Sequence, residues 1–241
     1  MAAGDVEVDF TNPNAKIGAY FDGVDDKITI SGDALPDVPF TISFWEWSRD
    51  TNIGYFLCDE IDVDNLFFRR SDGGLKVGGS LGDTTINEKT TNNEQWNHIV
   101  LKTDGTTSQI WINGVKEITT GANNFAGMTN NLMLGNRNDL TRDFKGMISE
   151  FRIYNRQLTD DEIIAIYNGD ITRTGLTHEY LFNTDYNDSV GNLNGTNSGT
   201  RLAIFDSDMA AKIKADRTGI NDHYMIATTG KNQIISTIVE E

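Results

Sequence analysis

Apolar residues recur at every second position along most of this chain, in short runs broken by turn residues. "FTISFWEW" sets Phe40, Ile42 and Phe44 against Thr41, Ser43 and Trp45. "AYFDGVDDKITI" turns at Asp22-Gly23 and then alternates Ile28 and Ile30 with Lys27 and Thr29. A period of two marks strands with one buried face. "WNHIVLKTDGTTSQIWINGVKEITTG" reads as three strands joined by turns at Asp104-Gly105 and Asn113-Gly114. Asn-Gly between alternating segments is the strongest local hairpin signal. "YFLCDEI" and "LFFRRS" flank "DVDN", "SDGG" turns into "LKVGGS", and "NLMLGN" and "KGMISEFRIYNR" add two strands. Turn signals at a spacing of roughly 8–12 residues predict an all-β sandwich.

One segment breaks the period. Thr159-Asp160-Asp161-Glu162 is a capping box, in which the Thr hydroxyl and the Glu carboxylate satisfy the first free N–H groups reciprocally. Ile163, Ile166 and Tyr167 follow on one side and Gly169 offers a stop, so a short surface helix is expected. "DSDMAAKIKAD" is a weaker helix pattern, and "HYMIATTGKNQIISTIVEE" predicts a terminal hairpin turning at Gly230-Lys231-Asn232. The Asn/Gly/Ser-rich residues 185–200 read as a long loop. The expected division is a sandwich over 1–200 and a C-terminal extension over 201–241, a short helix plus a hairpin that serves oligomerisation or docking.

Composition narrows the partners. Twenty Lys and Arg against 36 Asp and Glu give a formal charge of −16. Such a surface repels phosphate backbones and anionic lipid, which argues against nucleic acid and membrane insertion. The single Cys58 excludes an internal disulfide and a Cys-based metal site. "MAAGDVEVDF" has no basic or apolar leader region, and no apolar run reaches the ~18 residues of a membrane span. The expectation is cytosolic synthesis, with the protein virion-associated or extracellular after release.

The segments "AYFDGVDDKITI", "FTISFWEW", "QWNHIVLKTDG", "IWINGV" and "NLMLGN…FKGMISEFRIYNRQLTDDEIIAIYNG" together resemble the laminin-G-like and pentraxin-like domains of the concanavalin A-like lectin/glucanase superfamily. The resemblance covers about residues 19–169 and implies a two-sheet antiparallel jelly roll with ligand and cation sites at its loops. One departure stands out. A segment similar to "GLTHEYLFNTDYNDSVGNLNGT" precedes the "FDG" strand in many such domains, but here it follows, at residues 175–196. It is expected to close the sandwich from the C-terminal side.

The stretch "CDEIDVDN", Cys58 to Asn65, holds four carboxylates in six residues and supports three readings. It resembles the active-site strand of laminarinase-type retaining β-glucanases, which would make Glu60 the nucleophile, Asp62 a helper and Asp64 the acid/base. Retaining hydrolysis needs carboxyl groups about 5–5.5 Å apart, and the two strand-like runs flanking Asp62–Asn65 oppose that arrangement. "VDNLFFRR" also resembles a pentraxin-like Ca²⁺ site, which implies Asp64 and Asn65 as ligands with Asn138 and Asp139 from "LGNRND". Ca²⁺ takes such oxygens with lax geometry. Arg137 stands where that family has a Glu ligand. The third reading is a polar turn, because Asp and Asn bond their own backbone. Asp22, Asp25 and Asp26 form a second cation candidate or a solvated Gly turn.

Trp47, at a strand end, is the candidate for stacking on a sugar; Trp45 and Trp96 read as core. Arg69, Arg70 and Arg137 are candidates for bonding ligand hydroxyls or a carboxylate. His98, His178 and His223 have no zinc-ligand spacing. The expected function is non-catalytic binding of a glycan or cell-surface protein ligand, with calcium assisting. The expected setting is a homo-oligomeric or larger assembly such as a phage or viral particle. The alternatives are a laminarinase-like β-glucanase using Glu60 and Asp64, and a structural virion subunit that binds no glycan.

Overall fold

The computed structural model describes residues 15–48, 54–59, 66–71, 74–79, 82–86, 95–121, 131–137, 139–206, 224–229 and 233–239. Seventeen strands and one helix follow in chain order. They are β1 (Ala15–Asp22), β2 (Lys27–Ile30), β3 (Phe40–Ser48), β4 (Gly54–Asp59), β5 (Leu66–Ser71), β6 (Gly74–Gly79), β7 (Gly82–Ile86), β8 (Trp96–Thr103), β9 (Thr107–Ile112) and β10 (Val115–Gly121). After these come β11 (Leu132–Leu134), β12 (Lys145–Tyr154), α1 (Asp160–Tyr167), β13 (Leu176–Tyr180), β14 (Gly195–Ser198), β15 (Arg201–Asp206), β16 (Tyr224–Thr229) and β17 (Gln233–Val239).

The strands form two antiparallel sheets, as the alternation predicts. The large sheet runs β10-β9-β8-β3-β12-β1-β15-β16-β17, with β13 paired to the second half of β12. The small sheet runs β14-β2-β11-β4-β5-β6-β7. Phe40, Ile42 and Phe44 of β3 share one core with Ile99, Leu101, Ile148 and Ile153 of the large sheet and Ile28, Phe56, Leu57 and Leu134 of the small one. Each such side chain contributes roughly 1.5–3 kcal/mol through burial. The hairpins at Asp104-Gly105 and Asn113-Gly114 form as expected, joining β8 to β9 and β9 to β10.

Residues 175–200 add a strand to each sheet. β13 pairs with β12, and β14 pairs with β2 from Gly195↔Ile30 to Ser198↔Lys27. The expected long loop therefore contains sheet, and the segment closes the sandwich from the C-terminal side. Asp188 organises the connection. One carboxylate oxygen accepts N–H bonds from Glu179, Val190 and Gly191, and the other meets Nδ1 of His178 at 2.6 Å. Burial pushes this carboxyl up, but His178 and the N–H donors outweigh it and hold it below its ordinary value.

The sheet does not stop at residue 200. β15 pairs with β1 along its whole length, from Ala15↔Asp206 to Tyr20↔Arg201. Residues 201–206 thus belong to the sandwich. β16 continues the sheet at Ala203↔Ala227 and Ile204↔Ile226, and β16 and β17 form the expected hairpin. The helix expected over "DSDMAAKIKAD" lies outside the described residues, apart from Asp206 at the end of β15.

The helix α1 lies on the outer face of the large sheet, the face away from the core. Its capping box is complete: Thr159 Oγ1 accepts from Glu162 N–H, and Glu162 accepts from Thr159 N–H. Ile163 and Ile166 pack on Val100, Trp111 and Tyr154. Tyr167 stacks on Trp45 at 5.7 Å between centroids, with Lys16 Nζ 4.1 Å from the Trp45 centroid. Beside it runs a chain of ion pairs. Lys16 meets Glu150 at 2.7 Å, Glu150 meets Arg152 at 3.0 Å, Arg152 meets Glu179 at 2.9 Å, and Glu179 meets Arg173 at 2.9 Å. The register of β12 shifts between Ser149 and Arg152, and Glu150 at that bulge has φ of +50°, a conformation rare outside glycine. The same face buries His98, whose Nε2 lies 2.8 Å from Ser43 Oγ.

Candidate functional site

The outer face of the small sheet carries a different set of groups. Tyr55 and Cys58 of β4 and Met133 of β11 form a separate buried cluster there. The chain leaving β11 folds back against it. Gly135 makes this possible: its φ is +87°, and a Cβ at that position would lie 2.1 Å from the ring of Phe21. Gly135 N–H bonds to Phe56 O, and Tyr55 N–H bonds to Arg142 O. Asn136 is fully buried and ties the turn together. Its amide donates to Asp143 at 2.6 Å, its side-chain oxygen accepts from Arg137 N–H, and its carbonyl accepts from the Cys58 thiol at 3.3 Å.

These bonds aim Arg137 over Tyr55, with the guanidinium carbon 6.0 Å from the ring centroid. Its Nε is buried and has no hydrogen-bond partner among the described residues. One terminal nitrogen lies 3.4 Å from Asp139. Asp139 is itself engaged: one oxygen accepts from both the N–H and the hydroxyl of Thr141. The Thr141 hydroxyl first, and then its N–H and Arg137, hold the Asp139 carboxyl below its ordinary value.

The predicted residues meet different fates. Asp64, Asn65 and Asn138, and with them Glu60 and Asp62, lie outside the described residues. β4 ends at Asp59, β5 begins at Leu66, and the two pair antiparallel, so residues 60–65 connect neighbouring strands. Asp139, with its carboxylate bonded to Thr141 and beside a guanidinium, does not fit a cation ligand. Trp47 is 2 % exposed and packs with Tyr20 and Met147 on the large sheet. Its indole has no open face for a sugar, which corrects the stacking expectation. Arg69 and Arg70 separate. Arg69 pairs with Tyr55, whereas Arg70 pairs with Gly54 and with Leu75, a core residue. Successive strand residues alternate between the two faces of a sheet, so the two register positions differ in face; the Arg69 and Arg70 side chains lie outside the described ones. Tyr55 was not foreseen, although the alternation in "GYFLCD" carries the signal.

The second cation candidate is compact. Asp22, Asp25 and Asp26, in the turn from β1 to β2, bring one oxygen each within 4.8 Å of one another. Asp26 is buried, and its carboxylate also accepts Asp22 N–H at 2.8 Å. Burial first, and then Asp22 and Asp25, raise its carboxyl above the ordinary value. Three hard oxygens with lax geometry suit Ca²⁺.

Comparison with known proteins agrees with the sandwich. A candidate carbohydrate-binding protein from Bacteroides ovatus superposes with a TM-score of 0.61 at 18% identity, covering 80% of this chain. The chain spans 60% of that protein's length. The heptameric SAP-like pentraxin from Limulus polyphemus superposes with a TM-score of 0.59 at 14% identity, covering 81% of this chain and 96% of the other. At such identities the likeness is one of fold. No curated protein matches the sequence significantly. Residues 22–164, more than half of the chain, match the Laminin_G_3 family model, and the chain therefore belongs to the concanavalin A-like lectin/glucanases superfamily.

Proposed function

We propose that this chain is a non-catalytic carbohydrate-binding module whose ligand lies on the outer face of the small sheet, against Arg137. The observation that carries the reading is the half-exposed guanidinium laid over Tyr55. Although Nε is buried, the side chain keeps 31% of its surface exposed, and that part of the guanidinium can donate to sugar hydroxyl or carboxyl oxygens. The fold shared with the Bacteroides ovatus protein supports the same reading. Calcium enters at the Asp22–Asp26 turn, where it would neutralise three carboxylates and stiffen the turn. It would act there on stability. A setting on a phage or viral particle, in an oligomeric assembly, completes the proposal and rests on composition.

The test is affinity electrophoresis of the full chain through gels containing soluble polysaccharides. Retardation that weakens about tenfold in Arg137→Ala, with no release of reducing ends, is the expected result. Binding unchanged in Arg137→Ala would move the ligand elsewhere. Calcium is expected to raise the melting temperature without altering retardation.

A further inference from the structure

The edges of the two sheets are not alike. At one end of the large sheet, β10 approaches β7 of the small sheet, and its sequence, VKEITTG, carries Lys116 and Glu117. The small sheet ends on its other side in β14, which is four residues long. Charge and shortness are common guards of a strand edge, whose free N–H and C=O groups otherwise pair with another chain. The remaining edge is β17. It is last in the order of the large sheet and pairs with β16 alone among the described strands. Its seven residues, QIISTIV, contain neither a charged residue nor proline. Both β10 and β17 carry one register shift toward their neighbour, so charge is what separates them. The hairpin of β16 and β17 is also thinly attached, meeting β15 at Ala203↔Ala227 and Ile204↔Ile226. A two-stranded hairpin is marginal in water until a further strand or layer joins it.

We infer that β17 is a self-association edge, which pairs antiparallel with β17 of a second copy of this chain. The sequence is complementary to itself in that register. With Ser236 on the two-fold axis, Ile235 stands level with Thr237 of the second copy, Ile234 with Ile238, and Gln233 with Val239. Continued past the strand, the same register sets Lys231 level with Glu241, an opposite-charge pair that the symmetry produces twice. Two chains of formal charge −16 repel each other over most of their surface, and a strand without acid is where they can approach. The pairing joins the two large sheets into one and gives β17 a neighbour on both sides. The inference rests on the oligomeric assembly proposed above and names its contact; it does not depend on the carbohydrate ligand.

Light scattering on the eluting full chain is expected to give twice the mass of one copy. The register is read by cross-linking. Cys58 is buried and its thiol bonds to Asn136 O, so an added cysteine reports the contact on its own. Opposed residues on antiparallel strands lie about 4.5–5.5 Å apart at Cα, within reach of a disulfide. Ser236→Cys should therefore cross-link two chains in air. Gln233→Cys, whose counterpart is six residues out of register and about 20 Å away, should not. Ile235→Lys combined with Thr237→Lys sets like charges opposite one another and should weaken the dimer about tenfold. Mixing that chain with one carrying Ile235→Glu and Thr237→Glu should restore the dimer mass, which also shows that both variants fold. Equal cross-linking at 233 and 236, or a dimer indifferent to the paired lysines, overturns this interface but leaves an oligomeric assembly standing. A chain that stays monomeric sinks both, and retardation by polysaccharides decides the carbohydrate reading separately.

Discussion

The outer faces of the two sheets handle charge in opposite ways. On the large sheet a chain of charges alternates in sign, each paired with the next, in the order Lys16, Glu150, Arg152, Glu179, Arg173. A helix covers that face, and aromatic rings close over its rim. On the small sheet Arg137 lies over Tyr55, with its Nε unpaired among the described residues. The first arrangement holds the fold together. The second sets one half-exposed guanidinium between an aromatic ring and a single exposed carboxylate.

The largest effect should come from breaking the compensated face. Arg152 is 3 % exposed and bonds both Glu150 and Glu179. Arg152→Met leaves these carboxylates without their shared cation and should destabilise by about 3–5 kcal/mol, with a melting temperature roughly 10 °C lower. Adding Glu179→Leu should recover part of the loss. A change under about 1 kcal/mol, the worth of an exposed ion pair, would show that the network contributes little and would erase the contrast between the faces.

Acid should act on the same face next. Burial first lowers the His98 imidazole to about 3, with Lys16 and Arg152 adding to it and Glu150 opposing. The folded protein therefore favours neutral His98. The stability this gives is complete above about pH 6.5 and is lost as pH falls from there toward 3. Glu150 and Glu179 titrate below their ordinary 4.5, because their cation partners outweigh burial, so they release stability only below that pH. Thermal melts should decline from pH 6.5 downward in the native chain and only from about 4.5 in His98→Gln. Coincident curves would remove His98 from the account.

The smallest effect concerns the cover. Thr159→Ala removes the N-cap of α1 and should cost about 1 kcal/mol in chemical denaturation, with glycan binding unchanged. A loss of binding would mean that the two faces communicate.

Much of the sandwich could be read from local pattern. The period of two, the Asn113-Gly114 turn and the Thr159–Glu162 capping box all depend on residues close in sequence. What could not be read depends on register. Arg69 and Arg70 are neighbours of equal chemistry, and only the pairing of β4 with β5 sends them to opposite faces. Trp47 looks like a rim aromatic until Tyr20 and Met147 are brought against it from distant strands. The shift at Glu150 and the hub at Asp188 are likewise non-local, because they are fixed by groups up to 134 residues away in one case and by a string of backbone N–H groups in the other.

The pairing of Ala15 with Asp206 has a consequence for architecture. The first residue of β1 and the last residue of β15 sit side by side on adjacent antiparallel strands, about 5 Å apart. A unit whose entry and exit coincide can be spliced into a surface loop of a host protein with little strain on the host chain. Residues 15–206 thus enter and leave the sandwich at one place, next to the edge that β16 and β17 extend.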